Sequence, residues 1–134
     1  MGKVTLITGA TSGIGKATAL LLAGKGYDVY AGARKTADGE ALVAEAKGRG
    51  IPLKAVQLDV TDDGSVRAAV SRVAKESGRL DNLVNNAGFG FLGTVEESTD
   101  AEILRQFDVN VFGVGRMCRA ALPLMRAQRS GVIV

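Results

Sequence analysis

Short apolar runs alternate along the chain with longer stretches in which apolar side chains return every three or four residues, and this alternation organises it from Lys3 onward. The short runs predict parallel strands joined by crossover helices, at residues 3 to 8, 28 to 33, 53 to 58 and 81 to 85, with a fifth beginning at 131. Helices fall between them. The first spans about 13 to 25 and stops at Gly24-Lys25-Gly26, the second covers roughly 37 to 48, and the third, about 62 to 77, turns Val66, Ala69, Val70 and Val73 inward. The fourth is the longest. Thr99 with Glu102 forms a capping box, and Ile103, Phe107, Val111, Val114, Cys118, Leu122 and Met125 then recur at helical spacing.

Strand and helix in strict alternation predict an α/β architecture with a doubly wound parallel sheet. Right-handed crossovers, with a return across the sheet after the third strand, give the spatial order 3-2-1-4-5 and leave a crevice between the first and fourth strands, where ligands belong. No linker or composition break divides the sequence, so 1–134 reads as one domain.

Composition narrows the function classes. With 46% hydrophobic and 23% charged residues, the 134-residue chain is of a globular kind. Its net charge of +3 is spread over 17 basic and 14 acidic residues without a basic run, and four Phe and two Tyr offer few stacking surfaces, so nucleic acid is not an expected partner. Cys118 is the only cysteine and histidine is absent, which leaves no disulfide framework and no expected metal. The N-terminus shows no secretory pattern and no apolar run approaches ~18 residues, so the sequence predicts a cytoplasmic protein without a membrane segment.

The candidate chemistry begins where the first strand meets the first helix, in Thr8-Gly9-Ala10-Thr11-Ser12-Gly13-Ile14-Gly15. Gly9 and Gly13 allow a sharp turn and close approach to a pyrophosphate, Gly15 lets the helix press on the strand, and the helix N-terminus presents unpaired N–H groups to an anion. At the end of the second strand, where a carboxylate would bind both hydroxyls of an adenine ribose, the chain reads Ala33-Arg34-Lys35. A guanidinium there suits a 2′-phosphate, which favours NADP(H) over NAD(H); the plainer alternative is a solvated turn. Asp59, at the rim of the third strand, either accepts from an adenine amino group or makes a local cap, although Thr61 and Asp62 already offer capping oxygens. Asn85 and Asn86 end a buried run and must find hydrogen bonds, while Ala87 and Gly88 leave room for a ribose. Two decoys fall away. Gly15-Lys16 lacks the partner glycine and hydroxyl of a triphosphatase loop, since Ala10 and Ala17 stand there, and Gly88 to Gly93 precedes a loop rather than a helix, as a flexible cover over the crevice would.

The segments TGATSGIG, LDV, NNAG and FDVN, in this order and spacing, resemble the short-chain dehydrogenase/reductase family with its Rossmann-like fold, and the match runs through the whole chain. Phe89 to Val134 looks most like the hydroxysteroid and retinol dehydrogenase branch. The resemblance implies that Gly9, Thr11, Ser12, Gly13, Ile14 and Gly15 wrap the cofactor phosphates and adenosine ribose. It assigns Arg34 to the 2′-phosphate, Asp59 and Val60 to the adenine, and Asn86, Ala87 and Gly88 to the ribose beside the nicotinamide. Asn110 matches the asparagine that opens the fourth helix locally and holds a water in the proton relay.

The implied reaction is hydride transfer between nicotinamide and a secondary alcohol or carbonyl carbon. The family's Ser and its Tyr-x-x-x-Lys have no counterpart here, because the sequence closes at Val134 within the fifth strand and Tyr27 and Tyr30 are followed four places on by Ala31 and Arg34. The 134 residues are therefore expected to be at best feebly active by themselves. The resemblance further implies a homo-oligomer formed through the fourth helix, with Val114, Met117 and Ala121 either at the interface or covering the sheet. A non-catalytic dinucleotide-binding or assembly module is the competing reading.

Overall fold

The computed structural model describes residues 2–134. β1 (Val4–Ile7) leads into α1 (Gly13–Gly24), β2 (Asp28–Ala33) into α2 (Thr36–Gly48), β3 (Lys54–Gln57) into α3 (Asp63–Ser77), and β4 (Asn82–Val84) into the last helical region, which ends at β5 (Val132–Ile133). All four strand pairings are parallel, and the order is β3-β2-β1-β4-β5, as the alternation predicted.

The period-two pattern of the strands sorts their side chains between two cores. Val4, Leu6, Tyr30, Val56 and Leu83 face α3 and the last helix, meeting Val66, Val73, Met117 and Ala121. Ile7, Val29 and Ala31 face the other way, onto Ala19, Leu20, Leu42 and Ala46 of α1 and α2. Helix α3 shows how local chemistry fixes an end: the Asp62 carboxylate accepts from Gly64 N–H at 2.8 Å and Ser65 N–H at 3.2 Å, and Gly78 closes the helix at φ 69°.

The fourth helix is not continuous. α4 (Asp100–Phe107), opened by the Thr99/Glu102 capping box, passes into a π turn at Asp108–Phe112 before α5 (Gly113–Gln128). Bonding i to i+5 rather than i+4 inserts a residue, which rotates every later side chain by about 100° relative to the earlier stripe. The stripe read from the sequence is therefore only partly the buried face. Ile103, Phe107 and Val111 are exposed and Val114, Cys118 and Leu122 half-buried, while of that stripe Met125 alone enters the core, beside Met117 and Ala121. Of the residues considered for an interface, Met117 and Ala121 thus cover the sheet, and Val114 is half-buried.

Asp81 ties the start of β1 to that of β4. It is 5% exposed, accepts from Val4 N–H at 2.8 Å, and takes a forked contact from Arg79 at 2.5 and 2.9 Å. The Arg79 hydrogen bonds hold its carboxyl below the ordinary value against the opposing effect of burial, and the Val4 N–H helps. A carboxyl with a folded pKa below its unfolded one stabilises above the unfolded value, ~3.9, and loses that contribution as pH falls through the folded value. Asp81→Asn is expected to cost about 1–2 kcal/mol at neutral pH. Urea melts should show the gap to the parent protein closing as pH drops below the carboxylate range; a pH-independent gap would contradict this.

Candidate active site

The strand order reverses between β1 and β4, where the sequence predicts the crevice, and Thr8 ties the C-terminal ends of these two strands together. Its Oγ1 accepts from Asn86 N–H at 3.0 Å and Ala87 N–H at 2.8 Å, while the Asn86 amide donates back to the carbonyls of Thr8 at 3.1 Å and Gly9 at 3.0 Å. Asn86 therefore stitches the strand ends as buried amides require. Asn85 does not: its backbone N–H donates to Val134 O at 2.8 Å, but its side-chain nitrogen and oxygen are buried without a partner among the described residues.

The glycines differ in what they supply. Gly9 and Gly13 lie at φ 60° and 53°, in the left-handed region. A Cβ on Gly15 would stand 2.3 Å from the Asn86 amide nitrogen and 2.4 Å from Gly9 O, so this position is glycine because α1 presses directly on the turn. Ser12 sits at the N-cap of α1 without a side-chain cap bond, which leaves first-turn N–H groups facing outward beside an 81%-exposed Ile14.

Next to this helix end, between α1 and α2, lies a cavity of about 430 Å³ lined by Thr11, Ser12, Lys16, Arg34, Asp38 and Glu45 among others. Arg34 lines it and is exposed, and its backbone carbonyl accepts from Gln57 Nε2 at 3.3 Å. Asp59 has local work: its Oδ1 accepts from the N–H of Thr61 at 2.9 Å and from its hydroxyl at 2.7 Å. Burial raises the Asp59 pKa, but these two bonds and the charges of Arg34 and Arg116 outweigh it, leaving the carboxyl below its ordinary value.

Val60 is buried in the turn beyond β3, and its carbonyl accepts from Arg116 Nη1 at 3.1 Å. The same guanidinium holds the Asp108 carboxylate at 2.7 Å and the Asp108 carbonyl at 3.3 Å, so it clasps the π turn to the rim of β3. Nothing in the sequence pattern marks Arg116; a cation eight residues beyond Asp108 is out of reach in a regular helix and meets it only because the turn widens. Asn110 lies in that turn. Its Oδ1 accepts from Phe89 N–H at 3.0 Å and its Nδ2 donates to Phe89 O at 2.7 Å, which pins the segment leaving β4. From Asn85 to Gly93 the chain has no regular structure, and Leu92 is fully exposed.

A tyrosine and a lysine do meet, but at the other end of the sheet. Tyr30 Oη lies 3.1 Å from Lys54 Nζ and 2.8 Å from Ser77 Oγ, at the N-terminal ends of β2 and β3, with its ring fully buried. This network satisfies a buried phenol far from the crevice and takes no part in the site.

The model of the short chain dehydrogenase family matches residues 3–134. A 3-ketodihydrosphingosine reductase of Bacteroides thetaiotaomicron is 42% identical over 132 residues, which cover 98% of this chain and 45% of that protein. The 3-oxoacyl-[acyl-carrier-protein] reductase FabG of Thermotoga maritima is 42% identical over 137 residues, covering 99% and 54%. Among solved structures, a short-chain dehydrogenase from Streptomyces avermitilis superposes with a TM-score of 0.90 at 41% identity, over 99% of this chain and 48% of that one. The chain thus spans about half the length of these relatives. The parallel sheet of order 3-2-1-4-5, the glycine turn packed against Asn86 and the match along nearly every residue lead to one assignment: the chain belongs to the short-chain dehydrogenase/reductase family of oxidoreductases.

Proposed function

We propose that these residues form the NADP(H)-binding part of an oxidoreductase that exchanges hydride between nicotinamide and a secondary alcohol or carbonyl carbon. One observation carries the reading: Thr11, Ser12 and Arg34 line a single cavity beside the uncapped start of α1, so phosphate-directed N–H groups and a cation share one volume. Gly9, Gly13, Ile14 and Gly15 form the turn over the diphosphate, Asp59 and Val60 border the adenine, and Asn86, Ala87 and Gly88 wall the inner ribose. When bound, the coenzyme would supply or accept the hydride. Asn110, whose side chain is held by Phe89 in the π turn, would orient a water for proton movement. Two of the relatives are named as reductases of keto or oxo compounds, which supports a carbonyl substrate.

Fluorescence titration with NADPH and NADH tests this. NADPH is expected to bind more tightly, and Arg34→Ala to weaken NADPH by about ten- to a hundredfold with little change for NADH. Preference for NADH would reverse the cofactor assignment. The 134 residues contain no Tyr-x-x-x-Lys, so binding without carbonyl turnover is the expected companion result. The assembly reading draws on exposed Leu104, Phe107, Val111 and Phe112, and failure to bind either coenzyme would favour it.

A further inference from the structure

Lys16 has no assigned role, yet it lines the same cavity as Arg34. It follows Gly15 directly, in the first turn of α1, and its Nζ lies 2.5 Å from Glu45 Oε2 on α2. Glu45 is shared: its other oxygen, Oε1, takes Arg49 Nη2 at 2.6 Å. The charged side chains lining the cavity are Lys16 and Arg34 against Asp38 and Glu45, so the walls balance before anything enters. Among the described residues Arg34 makes no ion pair, whereas Lys16 is committed to Glu45.

We propose that Lys16 is a second cation for the extra phosphoryl group of NADP(H), and that Glu45 holds it in waiting as an anion the phosphate displaces. The proposal rests on the NADP(H) reading above. A phosphate monoester carries a charge of about −1.5 to −2 and three acceptor oxygens, so it competes for an ammonium better than one carboxylate oxygen does. Displacement is inexpensive for Glu45, because Arg49 remains on its other oxygen. Lys16 is 36% and Glu45 31% exposed, so the ammonium can leave without unpacking a core. The Lys16 hydrogen bond also keeps the Glu45 carboxyl below its ordinary value, so the competing anion is present throughout the neutral range. A ribose with a free 2′-hydroxyl offers no such exchange. Lys16 and Glu45 therefore set coenzyme preference in opposite directions.

The test is the dissociation constant of each coenzyme for the parent chain, Lys16→Met and Glu45→Gln, with a thermal melt of each to confirm folding. Lys16→Met is expected to weaken NADPH about tenfold and leave NADH within about twofold, lowering the preference. Glu45→Gln removes the competitor and should tighten NADPH severalfold without affecting NADH. If the pair is only a strut between helices, both variants shift both coenzymes alike and the preference ratio stays fixed, which would overturn the proposal. Weaker NADPH binding by Glu45→Gln would also overturn it, since Glu45 would then be steering Lys16 rather than competing for it. A parent chain that prefers NADH, or binds neither, fails at the earlier reading and takes this one with it.

Discussion

Gly15→Ala is expected to lower unfolding stability by about 2–5 kcal/mol and to remove measurable NADPH binding, because the added methyl has nowhere to go. Its nearest neighbours are the Asn86 amide at 2.3 Å and the Gly9 carbonyl at 2.4 Å, both well inside any tolerated contact. Those two groups are themselves bonded to each other at 3.0 Å. Relief of the clash therefore requires that bond to break or α1 to lift off the turn, and either movement displaces the helix start that faces the cavity. Gly13→Ala is the control that separates space from backbone. A Cβ there meets nothing within 4 Å, and only the left-handed φ of 53° opposes it, at about 1–2 kcal/mol. Urea melts and NADPH titration of both variants should rank Gly15→Ala clearly below Gly13→Ala. Equal costs would mean that the tight packing at Gly15 relaxes freely.

What the sequence made legible here follows from which forces act locally. Strand order came through because short apolar runs set between helical stretches announce strands and because crossover handedness leaves few topologies. The division of the sheet between two cores was equally readable, since Leu6 and Ile7 must point opposite ways. The π turn was not readable. An apolar stripe at helical spacing runs straight across it, and only Arg116, reaching from α5 to the Asp108 and Val60 carbonyls, shows what holds the turn open. Periodicity therefore pointed to Ile103, Phe107 and Val111, while the fold buries Met117 and Ala121.

At the site, the glycines and the Asn86 stitch were legible from residue type, because left-handed turns and buried amides leave few choices. Asp59 stood between two readings, and the structure shows the local one: its Oδ1 accepts from the N–H and the hydroxyl of Thr61. Lys16 and Glu45 lie 29 positions apart in sequence and meet only through the packing of α1 beside α2.

Thr8 opens the glycine turn, yet its role is not legible there for a related reason: a β-branched residue beside a strand reads as ordinary strand propensity, and its hydroxyl matters only through partners at the end of β4. It is 1% exposed, and its Oγ1 collects the N–H groups of Asn86 and Ala87. Thr8→Val preserves shape but removes the acceptor. The Asn86 N–H keeps a bond to Val84 O at 3.1 Å, whereas no other acceptor is within reach of Ala87 N–H among the described hydrogen bonds. Leaving that donor unpaired and losing the shared bond should cost about 2–4 kcal/mol. Thr8→Ser restores the oxygen and gives up only a methyl, about 1 kcal/mol. The consequence reaches the proposed coenzyme site, since Ala87 and Gly88 wall the inner ribose in the proposed complex. Amide hydrogen exchange at Ala87 should accelerate strongly in Thr8→Val and little in Thr8→Ser, with NADPH affinity falling in the same order. If Thr8→Val proves as stable as Thr8→Ser, and Ala87 stays protected, then the hydroxyl is not what joins β1 to β4 at the crevice.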